Sequence, residues 1–142
     1  MLDSQEIENK LLSASGRFEY TVDGGAVVIP TYKYASFYMG NTHTFFVGRD
    51  TDVAIQETGV HMAFTYESAA SFWGVDTSLG GGIVANFHSV GEVWRGQTGI
   101  VTGIFSSSQK TVFIQFDFMA HRDSRSKHVK GHFILKADGV SS

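Results

Sequence analysis

The chain has 142 residues and a formal net charge of −3, with 42% hydrophobic and 18% charged residues. This length is typical of one domain, and the hydrophobic content excludes an intrinsically disordered chain. The small negative charge gives no general attraction for nucleic acid or anionic lipid. The absence of cysteine excludes disulfides, thiolate nucleophiles and cysteine-ligated zinc sites.

The first 16 residues predict an amphipathic α-helix. Asp3 and Glu6 fit a capping box, and Gly16 fits a helix end. The apolar stripe of this helix would comprise Leu2, Ile7, Leu11 and Ala14. A helix this short is unstable alone in water, so it must dock on an apolar surface. The same segment lacks the basic start and apolar run of a signal peptide, and no long apolar stretch follows. We therefore expect a cytoplasmic protein without membrane contacts.

From residue 17 to residue 138, short apolar and alternating segments separated by turn residues predict about eight or nine strands. No helical pattern lies between them, which favours an antiparallel meander. Many of the sixteen glycines fall inside strands and favour bends, and Pro30 indicates an edge strand or a bulge. Residues 1–142 are thus predicted to form a single mainly β domain with an N-terminal helix and a tail at 139–142. The sheet would be an antiparallel β-barrel or, alternatively, a strongly curved open sheet.

Residues 111–121, TVFIQFDFMAH, alternate as a strand does, yet neither face is plainly polar. One face carries Val112, Ile114, Phe116, Phe118 and Ala120, and the other carries Phe113, Gln115, Asp117, Met119 and His121. If the apolar face is the core, Asp117 and His121 are solvated. If the mixed face is inside, it lines a polar pocket, and a mid-strand aspartate then has a functional reason to be there.

The segment 82–96 shows a similar ambiguity. Read as one strand, it places an amide, an imidazole, a carboxylate and an indole on one face, at Asn86, His88, Glu92 and Trp94. Apolar walls with a few polar groups are typical of small-molecule pockets. In such a pocket the pKa of Asp117 or Glu92 would rise towards neutrality, with His121 or His88 as proton-transfer partner.

These patterns predict the residues of a site. The catalytic candidates are Asp117, His121, Glu92 and His88, and the substrate-binding candidates are Trp94, Phe113, Gln115, Met119, Asn86 and Tyr34. The six histidines show no metal-binding spacing, so we expect neither a metal nor a cofactor, although ligands assembled from different strands stay open. The basic stretch 121–128, HRDSRSKH, fits a solvated loop better than an anion site.

The leading hypothesis is a cofactor-independent enzyme, an isomerase, cyclase or lyase, that acts by proton transfer on a small apolar or partly oxygenated molecule. One alternative is a carrier that binds such a ligand without transforming it; the predicted barrel is similar to lipocalin-like and cyclase-type barrels in architecture alone. A second alternative is an oligomeric structural or interaction subunit, such as a homodimer, in which an excess apolar face forms the interface.

Overall fold

The computed structural model describes residues 13–39, 43–52, 57–65, 72–75, 83–106 and 108–137. These residues form nine strands: β1 (Ala14–Val22), β2 (Tyr32–Met39), β3 (His43–Arg49), β4 (Gly59–Thr65), β5 (Phe72–Gly74), β6 (Val84–Ser89), β7 (Glu92–Ser106), β8 (Thr111–Arg122) and β9 (Arg125–Ala137). Within the described ranges there is no helix of the length and apolar character needed to cross a membrane.

The strands form one antiparallel sheet in the order β1-β9-β8-β7-β6-β4-β3-β2, with the short β5 paired to β7. The sheet curls until its two outer strands meet. An isolated bridge joins Ser13 to Tyr34, and the Lys33 ammonium donates a hydrogen bond of 3.0 Å to the Gly16 carbonyl. The predicted antiparallel, barrel-like sheet of about eight strands is therefore confirmed, as a nearly closed meander.

The predicted N-terminal helix is wrong for residues 14–16, which are part of a strand. Residues 14–16 belong to β1 and pair with residues 135–137 of β9, and Gly16 has a φ of 131°, which is not helical. Pairing with β9 prevails over the local amphipathic pattern because propensity is a weak determinant beside tertiary contacts. The rest of the predicted helix, residues 1–12, lies outside the described residues.

Aromatic rings fill the interior of the barrel. Phe18 stacks on Phe133 with ring centroids 4.8 Å apart, and Phe46 lies 5.5 Å from Phe133. Gly48 makes room for this packing, because a Cβ at that position would lie 2.7 Å from the Phe18 ring.

Strand β8 contributes its apolar face to this core: Val112, Ile114, Phe116, Phe118 and Ala120 are all buried. The alternative in which Asp117 and its neighbours on that strand point inward is wrong.

Residues 84–96 belong to a hairpin of β6 and β7 and not to one strand. Val90 and Gly91 have φ values of 48° and 83° and form the two-residue turn between β6 and β7. Phe87 pairs with Trp94 across this hairpin, and both side chains are buried in the core. Asn86 and His88 lie on the opposite, outer face of β6. The shared mixed face that the sequence predicts is therefore absent, because the turn interrupts the alternation.

Candidate functional site

A cluster of four polar side chains lies at the end of the barrel where β3 leads into β4. It consists of Arg49, Glu57, His61 and His88, and is called the Glu57 cluster here. Arg49 is the last residue of β3, Glu57 lies in the following loop, and the histidines lie on the neighbouring strands β4 and β6. Since Val60, Met62 and Phe87 point into the core, strand alternation places both histidines on the outer face.

The carboxylate of Glu57 is at the centre of this cluster. Arg49 Nη1 donates a hydrogen bond of 2.9 Å to Oε2. The other oxygen, Oε1, lies 2.5 Å from His61 Nε2 and 3.0 Å from His88 Nδ1. The two imidazoles stack with centroids 4.0 Å apart. Arg49 and Glu57 are only 1% and 2% exposed, so both charges are removed from water and depend on each other.

Backbone hydrogen bonds hold the Glu57 loop in place. Asp50 and Thr58 are joined by a backbone bond of 3.0 Å, and the Asp50 carboxylate accepts a second bond of 2.8 Å from the Thr58 amide. The Gly91 amide donates to the Glu57 carbonyl at 2.9 Å, which ties the loop to the β6–β7 turn. The position of the carboxylate is thus fixed by the surrounding chain as well as by its own contacts.

The pKa values of the cluster follow from burial and from these contacts. Burial alone raises the pKa of the Glu57 carboxyl, but its contacts with the His61 and His88 imidazoles outweigh burial and hold this pKa well below its usual value. Burial lowers the pKa of His61; its contact with Glu57 opposes that effect, and the neighbouring His88 imidazole and Arg49 guanidinium add to it. At neutral pH, Glu57 is therefore ionised and His61 is neutral.

This arrangement suits a small ion better than an organic substrate. The carboxylate is enclosed, and the Nε2 atom of His61 is fully buried although the ring as a whole retains 26% of its exposure. Glu57, His61 and His88 each offer one ligand atom, and these atoms lie within 4.8 Å of one another. A carboxylate and two imidazoles form a ligand set that divalent transition metals accept.

The predicted catalytic pairs do not form, and Asp117, Glu92 and His88 contact other side chains instead. Asp117 contacts His128, at 2.5 Å between Oδ1 and Nε2, and not His121. Glu92 lies 3.7 Å from the Arg122 guanidinium on the exposed rim of the barrel, while His88 belongs to the Glu57 cluster. Asp117 and Glu92 each keep more than half of their side-chain exposure.

Two of the predicted residues, Gln115 and Asp117, line a groove of about 540 Å³ on the outer face of β7, β8 and β9. This outer groove is lined by Ile100, Thr102, Gln115, Phe116, Asp117, Lys130, Gly131 and His132. Beside it, His132 Nε2 lies 3.2 Å from Glu19 Oε1. The groove therefore lies between two carboxylate–imidazole pairs on the outside of the barrel.

The remaining predicted binding residues are dispersed. Trp94 is buried in the core, with the cations of Arg125 and Lys127 within about 5 Å of its ring centroid. Phe113 is exposed on the outer face of β8. On that same face, Met119 and His121 are half-buried.

Asn86 and Tyr34 lie away from β8. Asn86 Oδ1 accepts a hydrogen bond from the Gly96 amide, and the ring of Tyr34 lies under the Arg49 guanidinium, 4.7 Å from it.

Sequence reasoning missed Arg49, Glu57 and His61 as site residues. Glu57 and His61 are four residues apart, which in a strand separates Cα atoms by about 13 Å and argues against a shared site. The contact forms because Glu57 lies in a loop that turns back over the strand. No spacing rule predicts from the sequence that the Glu57 side chain contacts His61.

The fold and the sites together define a nearly closed antiparallel barrel with a buried carboxylate–histidine cluster at one end and a separate groove on its outer face. The chain matches no known family model, no curated protein and no solved structure.

Proposed function

We propose that the chain is a small-molecule enzyme that works by proton transfer in the outer groove, as an isomerase, cyclase or lyase. His128 acts as the base, and Asp117 is the carboxylate that orients it. The observation that carries this proposal is the contact of 2.5 Å between His128 Nε2 and Oδ1 of Asp117, a residue that lines the groove. The proposal keeps the chemistry expected from the sequence and moves it from the barrel interior to the outer face.

The contact with Asp117 determines which nitrogen of His128 is basic. When Nε2 donates its proton to the carboxylate, the lone pair lies on Nδ1 and is available to remove a proton from a substrate. The backbone of His128 is also fixed, because its amide donates to Asp23 Oδ1 at 2.8 Å and its carbonyl accepts from the Asp23 amide at 2.8 Å. A general base needs this kind of fixed position.

The side chains that line the groove suit a small, partly oxygenated ligand. Ile100 offers an exposed apolar side chain, while Thr102 and Gln115 supply hydrogen-bonding groups. Lys130 lies directly across from Asp117 in the register of β8 and β9. Lys130 also lines the groove, and its ammonium group would stabilise negative charge that develops on a substrate oxygen as the proton leaves.

A ring-opening probe tests this function. 5-Nitrobenzisoxazole opens when a base removes one proton, and the coloured product reports the rate. We expect the wild-type chain to exceed the His128→Gln and Asp117→Asn variants by about tenfold or more, within the usual contribution of a general base. His121→Gln is the matched control because it changes another half-buried histidine of the same sheet.

The proposal fails if His128→Gln turns over the probe as fast as the wild-type chain. If the wild-type chain does not turn over the probe but binds it, and substitutions in the groove weaken that binding, the carrier alternative replaces the enzyme. Circular dichroism of each variant confirms that the fold is retained.

Self-association is a second candidate function, favoured by a row of apolar side chains on the outer face. Ile104 pairs directly with Phe113, which pairs with Ile134, and all three are exposed. They line a second groove of about 470 Å³. Exposed apolar surface of this kind marks interaction sites in many soluble proteins. A homodimer through this row would appear in size-exclusion chromatography with light scattering and would be lost in Phe113→Lys.

A further inference from the structure

We propose that the Glu57 cluster binds one divalent transition-metal ion of the Zn²⁺ type. The ligand atoms are Glu57 Oε1, His61 Nε2 and His88 Nδ1. This site is separate from the outer groove, and the proposal does not depend on the function assigned to that groove.

The three ligand atoms converge. Both imidazole nitrogens point at the same carboxylate oxygen, at 2.5 Å and 3.0 Å, and all three atoms lie within 4.8 Å of one another. Ligand atoms around a tetrahedral Zn²⁺ lie about 3.3 Å apart, given metal–ligand distances of about 2.0 to 2.1 Å. An ion at these distances therefore requires the Glu57 carboxylate to retreat by less than about 1 Å and the two imidazole nitrogens, which lie at most 4.8 Å apart, to approach about 3.3 Å.

One of these atoms, His61 Nε2, is buried without a well-aligned hydrogen bond. His61 Nε2 is inaccessible to water, and its close contact with Glu57 Oε1 does not have hydrogen-bond geometry. Buried nitrogen and oxygen atoms nearly always have a well-aligned hydrogen bond, and a bound ion or water molecule is one explanation for an atom whose close contact is poorly aligned. A metal bound between Nε2 and Oε1 would satisfy the nitrogen lone pair directly.

The surrounding chain holds the ligand residues close together before any ion binds. His88 lies opposite Gly59 in the register of β4 and β6, which makes His61 its diagonal neighbour on the outer face. A Cβ at Gly59 would lie 2.1 Å from the Gly48 carbonyl oxygen, so a side chain here would displace strand β3. The Val90 amide donates to Thr58 Oγ1 at 2.9 Å, which holds the loop beside His88.

Arg49 completes the site as an outer partner of the carboxylate. It binds Oε2 and leaves Oε1 facing the imidazoles, and its guanidinium is itself held over the Tyr34 ring. Hydrogen bonds to the far oxygen of a ligating carboxylate orient the near one and are common around protein metal sites. Two imidazoles and one carboxylate favour Zn²⁺, Co²⁺ or Ni²⁺ over Ca²⁺ and Mg²⁺, which prefer all-oxygen sites.

Metal titration of the untagged chain, prepared with a chelator and then freed of it, tests the site. We expect isothermal titration calorimetry with Zn²⁺ to give one ion per chain, and Co²⁺ to give the visible spectrum of a four-coordinate site with nitrogen and oxygen ligands. Saturating Zn²⁺ should also raise the midpoint of thermal unfolding, since an ion that binds only the folded chain stabilises it.

Variants assign the ion to these residues. His88→Ala keeps the Arg49–Glu57 ion pair and should fold, yet it should weaken Zn²⁺ binding by at least tenfold and remove the Co²⁺ spectrum. Glu57→Gln should do the same, with loss of stability as well. His132→Ala changes an imidazole that also contacts a carboxylate, but outside the cluster, and should bind the ion as the wild-type chain does.

The proposal is overturned if the wild-type chain binds no Zn²⁺ at micromolar concentration, or if His88→Ala binds it as tightly as His132→Ala. Activity in the outer groove has no bearing on either outcome. A failed ring-opening assay together with stoichiometric Zn²⁺ binding would reject the enzyme and retain the metal site.

Discussion

Arg49 and Glu57 form an ion pair of 2.9 Å in which both side chains are almost completely buried. Such a pair gains little over apolar residues of the same size, but breaking it leaves one charge without compensation. The two residues therefore constrain each other, and the loop between β3 and β4 depends on both.

Removing Arg49 alone should be strongly destabilising. We expect Arg49→Met to lower the free energy of unfolding by about 3 kcal/mol or more, because Glu57 then remains buried without its guanidinium partner. The double variant Arg49→Met with Glu57→Gln should recover part of that loss. Urea unfolding of both variants measures the coupling. A loss below about 1 kcal/mol in Arg49→Met would contradict the buried pair.

Two phenylalanines on neighbouring strands test which face of the sheet is the core. Phe133 is fully buried among other rings, whereas Phe113 is 40% exposed. Phe133→Ala should cost about 3 to 5 kcal/mol of stability, the usual penalty for a large cavity in a core. Phe113→Ala should cost less than about 1 kcal/mol. Equal losses, measured by urea unfolding, would mean that the faces are assigned wrongly.

Tyr20 should make the stability of the chain fall at high pH. Burial raises the pKa of its phenol from 10.0 to about 12, and the charge of Asp50 adds to this effect. Between these two values the unfolded chain loses the phenolic proton while the folded chain keeps it. The contribution of Tyr20 is therefore complete below pH 10 and declines above it, by about 3 kcal/mol in total.

Denaturant unfolding at about pH 9 and about pH 12 measures this decline. Tyr20→Phe keeps the ring that packs against Phe18 and Phe87, so it serves as the matched control and should decline less. The same pH dependence in the variant and in the wild-type chain would exclude Tyr20 as its source.

Val90 should be a site where substitution stabilises the chain. It has a φ of 48° and is 75% exposed, and a β-branched residue is strained in that conformation. We expect Val90→Asn to raise the free energy of unfolding by about 0.5 to 1 kcal/mol, because asparagine adopts this turn geometry readily. Thermal unfolding measures the change. A lower midpoint would show that the Val90 side chain makes contacts that compensate for the strain.

The strand pattern of the chain was readable from its sequence, since turns such as DGG at 23–25 separate alternating segments. The orientation of β8 was not, because both of its faces contain phenylalanine. Burial of one face depends on the rings that other strands supply, above all Phe18 and Phe133. Alternation gives the two faces of a strand but does not say which one a distant strand will cover.

The Glu57 cluster was unpredictable for a different reason. The sequence makes His88 a candidate because polar and aromatic residues surround it, but it predicts the partner at Glu92, on the same strand. The turn at Val90 and Gly91 places Glu92 on a different strand from His88. The carboxylate that contacts His88 belongs to Glu57, which lies 31 residues earlier in the sequence. Pattern reasoning follows order along the chain, whereas this site depends on which strands become neighbours.

The contact between Lys33 and Gly16 has a consequence for how the protein behaves in a crowded solution. Where β1 and β2 approach each other, backbone groups are not fully paired, and such edges can recruit the strands of other chains. Lys33 donates to the Gly16 carbonyl and places a cation at this opening. Addition of a foreign strand would have to displace that ammonium group first, which protects the chain against edge-to-edge aggregation.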